Sequence, residues 1–283
     1  MNRKTTGIWA AAALSLMLAA CGGSAATTDT AASAEKTEAA SAVEETKQAA
    51  EKTEGNTAVK TVTPGSLIMC TNAEFPPYEF HNGNEIVGID VEICNAIAEK
   101  LGLKLEIEDI AFDAIIPEIV SGKADLGAAG MTVTEDRKQN VDFSDSYAHA
   151  TQVIIIREDS DIAGPDDLKG KLVGVQQGTT GDLYVSADLG DDAVERYSKG
   201  MEAVQALTQS KVDAVIIDGE TAKQYVKEVP DLRILDESYT DEEYAIAVQK
   251  GNTQLLDAIN TAIGELKKDG TFDKIVEKYI KAE

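Results

Sequence analysis

Gly130-Met131-Thr132-Val133-Thr134-Glu135-Asp136-Arg137 is the stretch whose residue types and spacing best suit binding chemistry. It follows a short apolar run, Asp125 to Ala129, that reads as a strand. The pattern is strand end, glycine turn and helix start, with Thr134 as N-cap. Arg137 then falls in the first helical turn, where the helix dipole favours anions over cations. A guanidinium held there, beside free backbone N–H groups and a threonine hydroxyl, forms a fork for a carboxylate. The other reading of the octapeptide is a surface arginine paired with Asp136 or Asp142.

A second polar glycine turn, Gln176-Gln177-Gly178-Thr179-Thr180-Gly181, also follows an apolar run. A third run, Val212 to Asp218, reads as a buried strand that ends in an acid. Asp218 either caps the helix beginning near Glu220 or faces a ligand.

These turns need strands and helices to position them. Ser66 to Thr71 reads as a strand. Phe75 to Phe80 contains two prolines and cannot be helix. After a turn at His81-Asn82-Gly83-Asn84, Ile86 to Ile89 returns as a strand, and Asp90 caps a helix that runs to Leu101. Lys104 to Ile107 is a strand, Phe112 to Ser121 a helix, and the strand before Gly130 follows. This β-α-β-α-β alternation implies a largely parallel sheet with helices on its faces. Thr151 to Ile156 is a continuous apolar strand, after which the pattern restarts. Strands are expected near Lys171–Val175, Val212–Asp218 and Leu232–Leu235, with helices at Gly181–Leu189, Met201–Ser210 and Glu220–Glu228. Tyr244 to Val248 reads as one more strand, before helices at Thr253–Lys268 and Thr271–Lys281. Two α/β units facing each other would enclose one cleft, with the strands near Thr151–Ile156 and Tyr244–Val248 as hinges.

The N-terminus carries processing signals and no fold. Arg3 and Lys4 precede an apolar run, Ile8 to Ala20, too short to span a bilayer but suited to a signal peptide. It ends in Leu18-Ala19-Ala20-Cys21, which resembles a bacterial lipobox, so Cys21 is the expected lipidation site. Residues 21–64 are rich in Ala, Thr, Glu, Lys and Ser and read as a flexible tether. The net charge is −24, and removing residues 1–20 makes the chain more acidic still. That argues against nucleic acid or an anionic membrane surface as partner. Cys70 and Cys94 are either buried free thiols or a disulfide. No Cys/His cluster has metal spacing, and no cofactor motif is present.

Taken in order, several pieces are similar to the family 3 extracellular solute-binding proteins of polar amino-acid ABC transporters, among them glutamine-, arginine- and lysine/arginine/ornithine-binding proteins. They are Thr71–Phe80, Val87–Ile93, Phe112–Pro117, Gly130–Arg137 before Val141–Ser144, Val173–Thr180, Val212–Asp218 and Lys268–Phe272. The resemblance covers Ser66 to Lys281. It implies a two-lobed periplasmic-binding-protein type II fold, with residues 66–152 and 246–283 in lobe 1 and 153–245 in lobe 2. Each lobe is then a mostly parallel sheet flanked by helices. It also implies that Arg137 clamps a ligand α-carboxylate, helped by Thr132 and N–H groups near Gly130 and Thr179. Asp218 would accept from the α-ammonium, and Phe75 and Phe112 would sandwich the side chain.

Asn72 stands where members selective for basic or glutamine-like ligands often carry an aspartate, and Gln176 where the glutamine binder has a lysine. Both neutral amides favour a polar or amide ligand. The runs Ala150–Ile154 and Gly174–Gly181, by contrast, look closest to arginine-type binders. Glu74 is nearby and, like Glu79, reads as part of the cleft lip. The implied protein is a monomeric lipoprotein on the extracellular membrane face, or in a periplasm, that delivers an amino acid to a permease and its ATPase. Two other uses of this fold compete. A dehydratase of cyclic acids needs an acid/base pair in the cleft. A ligand-sensing subunit needs a separate output partner.

Overall fold

The computed structural model describes residues 59–280. The signal segment, Cys21 and most of the expected tether lie outside the described residues. From Ser66 the chain forms β1 (Ser66–Thr71), a meander of β2 (Glu74–Phe75), β3 (Glu79–Asn82) and β4 (Glu85–Val87), then α1 (Ile89–Leu101) and β5 (Lys104–Asp109). A 3-10 turn at Phe112–Ala114 leads into α2 (Ile115–Val120), β6 (Leu126–Gly127), α3 (Glu135–Lys138) and β7 (Val141–Phe143). The second lobe comprises β8 (Ala148–Arg157), β9 (Val173–Gln176), α4 (Thr180–Leu189), β10 (Val194–Tyr197), α5 (Gly200–Thr208), β11 (Ala214–Asp218), α6 (Gly219–Glu228), β12 (Leu232–Ile234) and β13 (Thr240–Tyr244). β14 (Ala247–Gln249), α7 (Thr253–Asp269) and α8 (Thr271–Tyr279) complete the first lobe.

The first sheet has the order β5-β1-β6-β14-β7, and the second β10-β9-β11-β8-β12, with β13 also paired to β8. The α/β-wound strands are parallel as expected: β1 with β5 and β6, and β9 with β10 and β11. β14 and β8 run antiparallel to their neighbours, so each mostly parallel sheet carries one reversed strand. These two strands follow the crossings between lobes, where no crossover helix sets a parallel direction.

The continuous apolar strands are explained by helices on both faces. Val153 and Ile155 of β8 and Val215 and Ile217 of β11 join the core under α5 and α6. Ile154, Ile156, Ala214 and Ile216, their alternate neighbours, pack with Val185 of α4. β1 divides likewise: Leu67 and Met69 face α1 and α7, while Ile68 and Cys70 face α2. Each such fully buried side chain contributes roughly 1.5–3 kcal/mol. Cys70 and Cys94 are both buried and free.

The crossings lie elsewhere than expected. Thr151–Ile156 is inside the second sheet, and residues 148–152 pair with β13, so lobe 2 begins near Ala148 instead of at 153. Tyr244–Val248 is two strands, with Tyr244 ending β13 and Ala247 beginning β14. The connectors are residues 144–147 and 245–246. They run side by side: Ser144 N–H donates to Ile246 O (2.9 Å), and Tyr147 N–H to Tyr244 O (2.9 Å). An apolar run does not say which sheet will receive it, so periodicity alone does not locate the crossing.

Asp90 is not the cap of α1 but lies within it, and Gly88 occupies the N-cap. Gly88 has φ +137°, and a Cβ there would meet Tyr78 O at 2.1 Å. The close approach lets Ile89 and Asp90 donate their N–H groups to Pro77 O (3.1 Å) and Tyr78 O (2.9 Å). That contact fixes β3 against the start of α1. Gly88→Ala combines backbone strain with a backbone clash and is expected to cost about 3 kcal/mol or more. Urea denaturation measures it, and a loss under about 1 kcal/mol would mean that this contact is dispensable.

Candidate functional site

In both sheets the parallel strands end toward the same cleft, and their last residues and following loops bring the chemistry. Asn72 follows β1, Phe112 follows β5, Gly130 follows β6, Gln176 ends β9 and Asp218 ends β11. A cavity lies between the lobes, and all nine residues expected at a ligand site line it: Asn72, Phe75, Phe112, Gly130 and Thr132, with Arg137, Gln176, Thr179 and Asp218. Glu79, Gln152, Thr180 and Tyr244 line it as well.

Arg137 is 7% exposed. Thr134 caps α3 by accepting from Arg137 N–H at 3.2 Å, as expected. The guanidinium turns back over the helix start. Nη1 donates to Thr132 O (2.7 Å), Nη2 donates to Gly178 O of the other lobe (3.1 Å), and the group lies 5.4 Å from the Phe112 ring centroid. Among the described residues it makes no ion pair, with neither Asp136 nor Asp142. Burial pulls its pKa below the ordinary arginine value, against the opposing charge of Glu242. Gly130 has φ +50°, and a Cβ there would meet Phe75 Cε1 at 2.9 Å. The turn therefore needs glycine in order to lie against that ring.

The acids outnumber this cation. Asp218 is 1% exposed, and its oxygens accept from Thr221 N–H (2.9 Å) and Tyr244 O–H (3.1 Å). It both caps α6 and lines the cavity, so the two readings of its position coexist. Burial raises its pKa to about 6, despite those two donors. Glu79, expected at the lip, is fully enclosed, and burial together with the neighbouring Asp90 lifts its pKa well above the carboxylate range. The tight Gly88 contact pulls the start of β3 inward, which the sequence did not signal. Asp90 Oδ2 accepts from Gly130 N–H (2.9 Å) and from Tyr147 O–H (2.7 Å), so it supports the glycine turn from behind. Glu242 accepts from Thr132 Oγ1 and Gln152 Nε2, both at 2.9 Å.

Several contacts join the lobes directly. Gln176 Nε2 donates to Asn72 Oδ1 (2.9 Å), and Asn72 Nδ2 donates to Ile110 O (2.8 Å), so both atoms of the Asn72 amide are engaged. Gln177 Nε2 donates to Asp113 Oδ2 (2.6 Å). Glu74, at the mouth, pairs with Lys199 and accepts at its carbonyl from Tyr225 O–H (2.6 Å). His81 and His149 are exposed, at 2.9 Å from Asp109 and 3.6 Å from Glu243.

Thr180 and Gln152 belong to stretches singled out in the sequence, but nothing there distinguished them from their neighbours. Tyr244 begins a stretch read as a hinge strand, but its place in the cavity depends on where the chain recrosses between sheets, which the sequence does not show.

The chain is similar to proteins of known role along nearly all of its described length. The arginine-binding extracellular protein ArtP of Bacillus subtilis (strain 168) is 36% identical over 223 residues, covering 77% of this chain and 87% of that protein. An ancestral arginine-binding protein bound to arginine superposes with a TM-score of 0.73 at 46% identity, over 76% of this chain and 98% of that one. An ancestral arginine-binding protein bound to glutamine gives 0.73 at 45%, over 78% and 100%. The sequence profile of family 3 matches residues 67–282, and this chain belongs to the bacterial extracellular solute-binding proteins of that family.

Proposed function

We propose that the protein captures a polar or basic L-amino acid, with arginine the leading candidate, in the interlobe cavity and delivers it to an ABC permease. The observation that carries this reading is Arg137, a buried guanidinium held by carbonyl oxygens with no ion-pair partner among the described residues, lining one cavity with buried Asp218 and Glu79. A desolvated cation is stable when an anion meets it, and an ammonium needs the reverse. A zwitterion supplies both: its carboxylate to Arg137, beside Thr132, Gly130 and Thr179, and its ammonium to Asp218. Phe75 and Phe112 offer aromatic faces to the side chain.

Glu79, with Asp90 and Glu242 behind the cavity wall, leaves a surplus of acid over one arginine, which favours a basic side chain. Asn72 and Gln176 satisfy each other across the cleft, so their amides serve closure more than side-chain recognition. The arginine-binding relatives support the same choice. In this reading the protein is a monomer tethered by lipidated Cys21 to the extracellular face of a membrane, or held in a periplasm, and residues 144–147 and 245–246 are the hinge. A dehydratase would need Asp218 and Glu79 as its acid and base, roles that conflict with holding an ammonium.

Titration calorimetry on protein stripped of ligand by unfolding and refolding tests the assignment. Arg137→Ala is expected to weaken arginine binding by about 2–5 kcal/mol, roughly 30- to 5,000-fold. Unchanged affinity would remove the carboxylate clamp, and failure of all amino acids to bind would remove the function itself. Asp218→Asn keeps an acceptor for Thr221 N–H but loses the charge. It should cost at least about tenfold in affinity for every amino acid that binds, whatever the side chain. A loss confined to basic ligands would instead put Asp218 in the side-chain pocket.

A further inference from the structure

Glu79 and Asp90 come from β3 and α1, which the Gly88 contact locks together. Their carboxyl groups are buried and within hydrogen-bonding reach of each other. Glu79 Oε2 and Asp90 Oδ1 are buried oxygens without an N–H or O–H donor. The titratable groups that act on the pair are acids, tyrosines and a thiol: Cys94 of α1, Asp109 of β5, Tyr147 of the first connector, Asp218 of β11, Tyr225 of α6, and Tyr78 beside Glu79. None is a cation. Arg137, the cation of the cavity, is committed to the carbonyls of Thr132 and Gly178.

Two touching carboxyl groups in such a place cannot both ionise. One proton between them satisfies both orphaned oxygens, with Glu79 O–H donating to Asp90 Oδ1. Asp90 is the better anion of the two, because its other oxygen already accepts from Gly130 N–H and Tyr147 O–H. Glu79, and not Asp90, lines the cavity.

We propose that Glu79 and Asp90 hold one proton between them, and that a cationic ligand side chain entering the cavity sends that proton to solvent. This rests on the amino-acid reading above. The exchange balances in charge: a positive side chain enters, Glu79 becomes a carboxylate beside it, and one H⁺ passes to buffer. A neutral amide side chain makes no such demand, and Glu79 keeps its proton. The pocket thus accepts either type of side chain, and the pH sets the preference between them.

The test is titration calorimetry of the intact, ligand-stripped protein with arginine and with glutamine, at about pH 7.5, in phosphate and in Tris buffer. The difference in heat between buffers counts the protons released. Asp218, with its pKa pushed up to about 6, is ionised at that pH and adds little for either ligand. About one proton released per arginine and about none per glutamine is expected. Arginine affinity relative to glutamine should also rise with pH, toward tenfold per pH unit, wherever the free pair keeps its proton and the arginine complex does not. In Asp90→Asn the new amide donates to the Glu79 carboxylate and still accepts at its oxygen, so arginine should bind without proton release. If that variant does not fold, Glu79→Gln should abolish the release as well, at weaker arginine affinity. Arginine binding with no proton released by the unaltered protein overturns this proposal and leaves the amino-acid reading standing. Failure of both ligands to bind overturns both.

Discussion

A buried guanidinium is the constraint around which the rest of this cleft is arranged. Arg137 sits in the first turn of α3, the end of a helix least suited to a cation, and is screened from water. Carbonyl oxygens hold its fork: Thr132 O from its own lobe and Gly178 O from the other. Carbonyl dipoles orient the charge without neutralising it, so the group stays attractive to an anion. The turn that presents it needs a glycine at 130 to lie against Phe75, and the Gly130 N–H is in turn fixed by Asp90.

The acids are graded by what each one touches. Asp218 has two donors and a place at a helix N-terminus, so its charge is partly supported. Asp90 has two donors on one oxygen and a carboxyl neighbour on the other. Glu79 has burial and like charges around it, and these hold its pKa well above the carboxylate range. One cavity thereby holds buried carboxyl groups with unequal hydrogen-bond support. That grading follows from hydrogen-bond supply and not from residue type.

Closure joins these parts. Gly178 reaches Arg137, Gln176 meets Asn72, Gln177 meets Asp113, and Lys199 meets Glu74, each pair bridging the two lobes. Thr132 Oγ1 also donates to Glu242, and Tyr225 O–H to Glu74 O, across the lobes, while the chain itself crosses between them through two short connectors that hydrogen-bond to each other. Tyr147 and Tyr244 lie at these connectors and donate to Asp90 and Asp218. The acids of the site are thus bonded to the segments about which the lobes would turn.

Much of this was legible in the sequence, because it rests on local rules. Two-faced apolar strands, the Thr134 cap and the glycine turn depend on residues close in the chain. Arg137 with its glycine turn, and Asp218, stood out at strand ends, whereas Asn72, Phe75, Phe112 and Gln176 entered through the family resemblance; all nine expected residues line the same cavity. Where a property depended on the partner of a side chain, the sequence was silent or misleading. Asp90 reads as a helix cap because an acid before an apolar run usually is one, and only the packing of β3 on α1 makes it the buried partner of Glu79. Glu79 reads as an exposed lip residue because nothing local buries it. Thr151–Ile156 reads as a link between lobes because an apolar run carries no address. Chain-local energetics wrote the elements and the cation. The sheet crossings, the burial of the acids and the pairing of Glu79 with Asp90 arise from contacts between residues distant in the chain, which only the tertiary structure brings together.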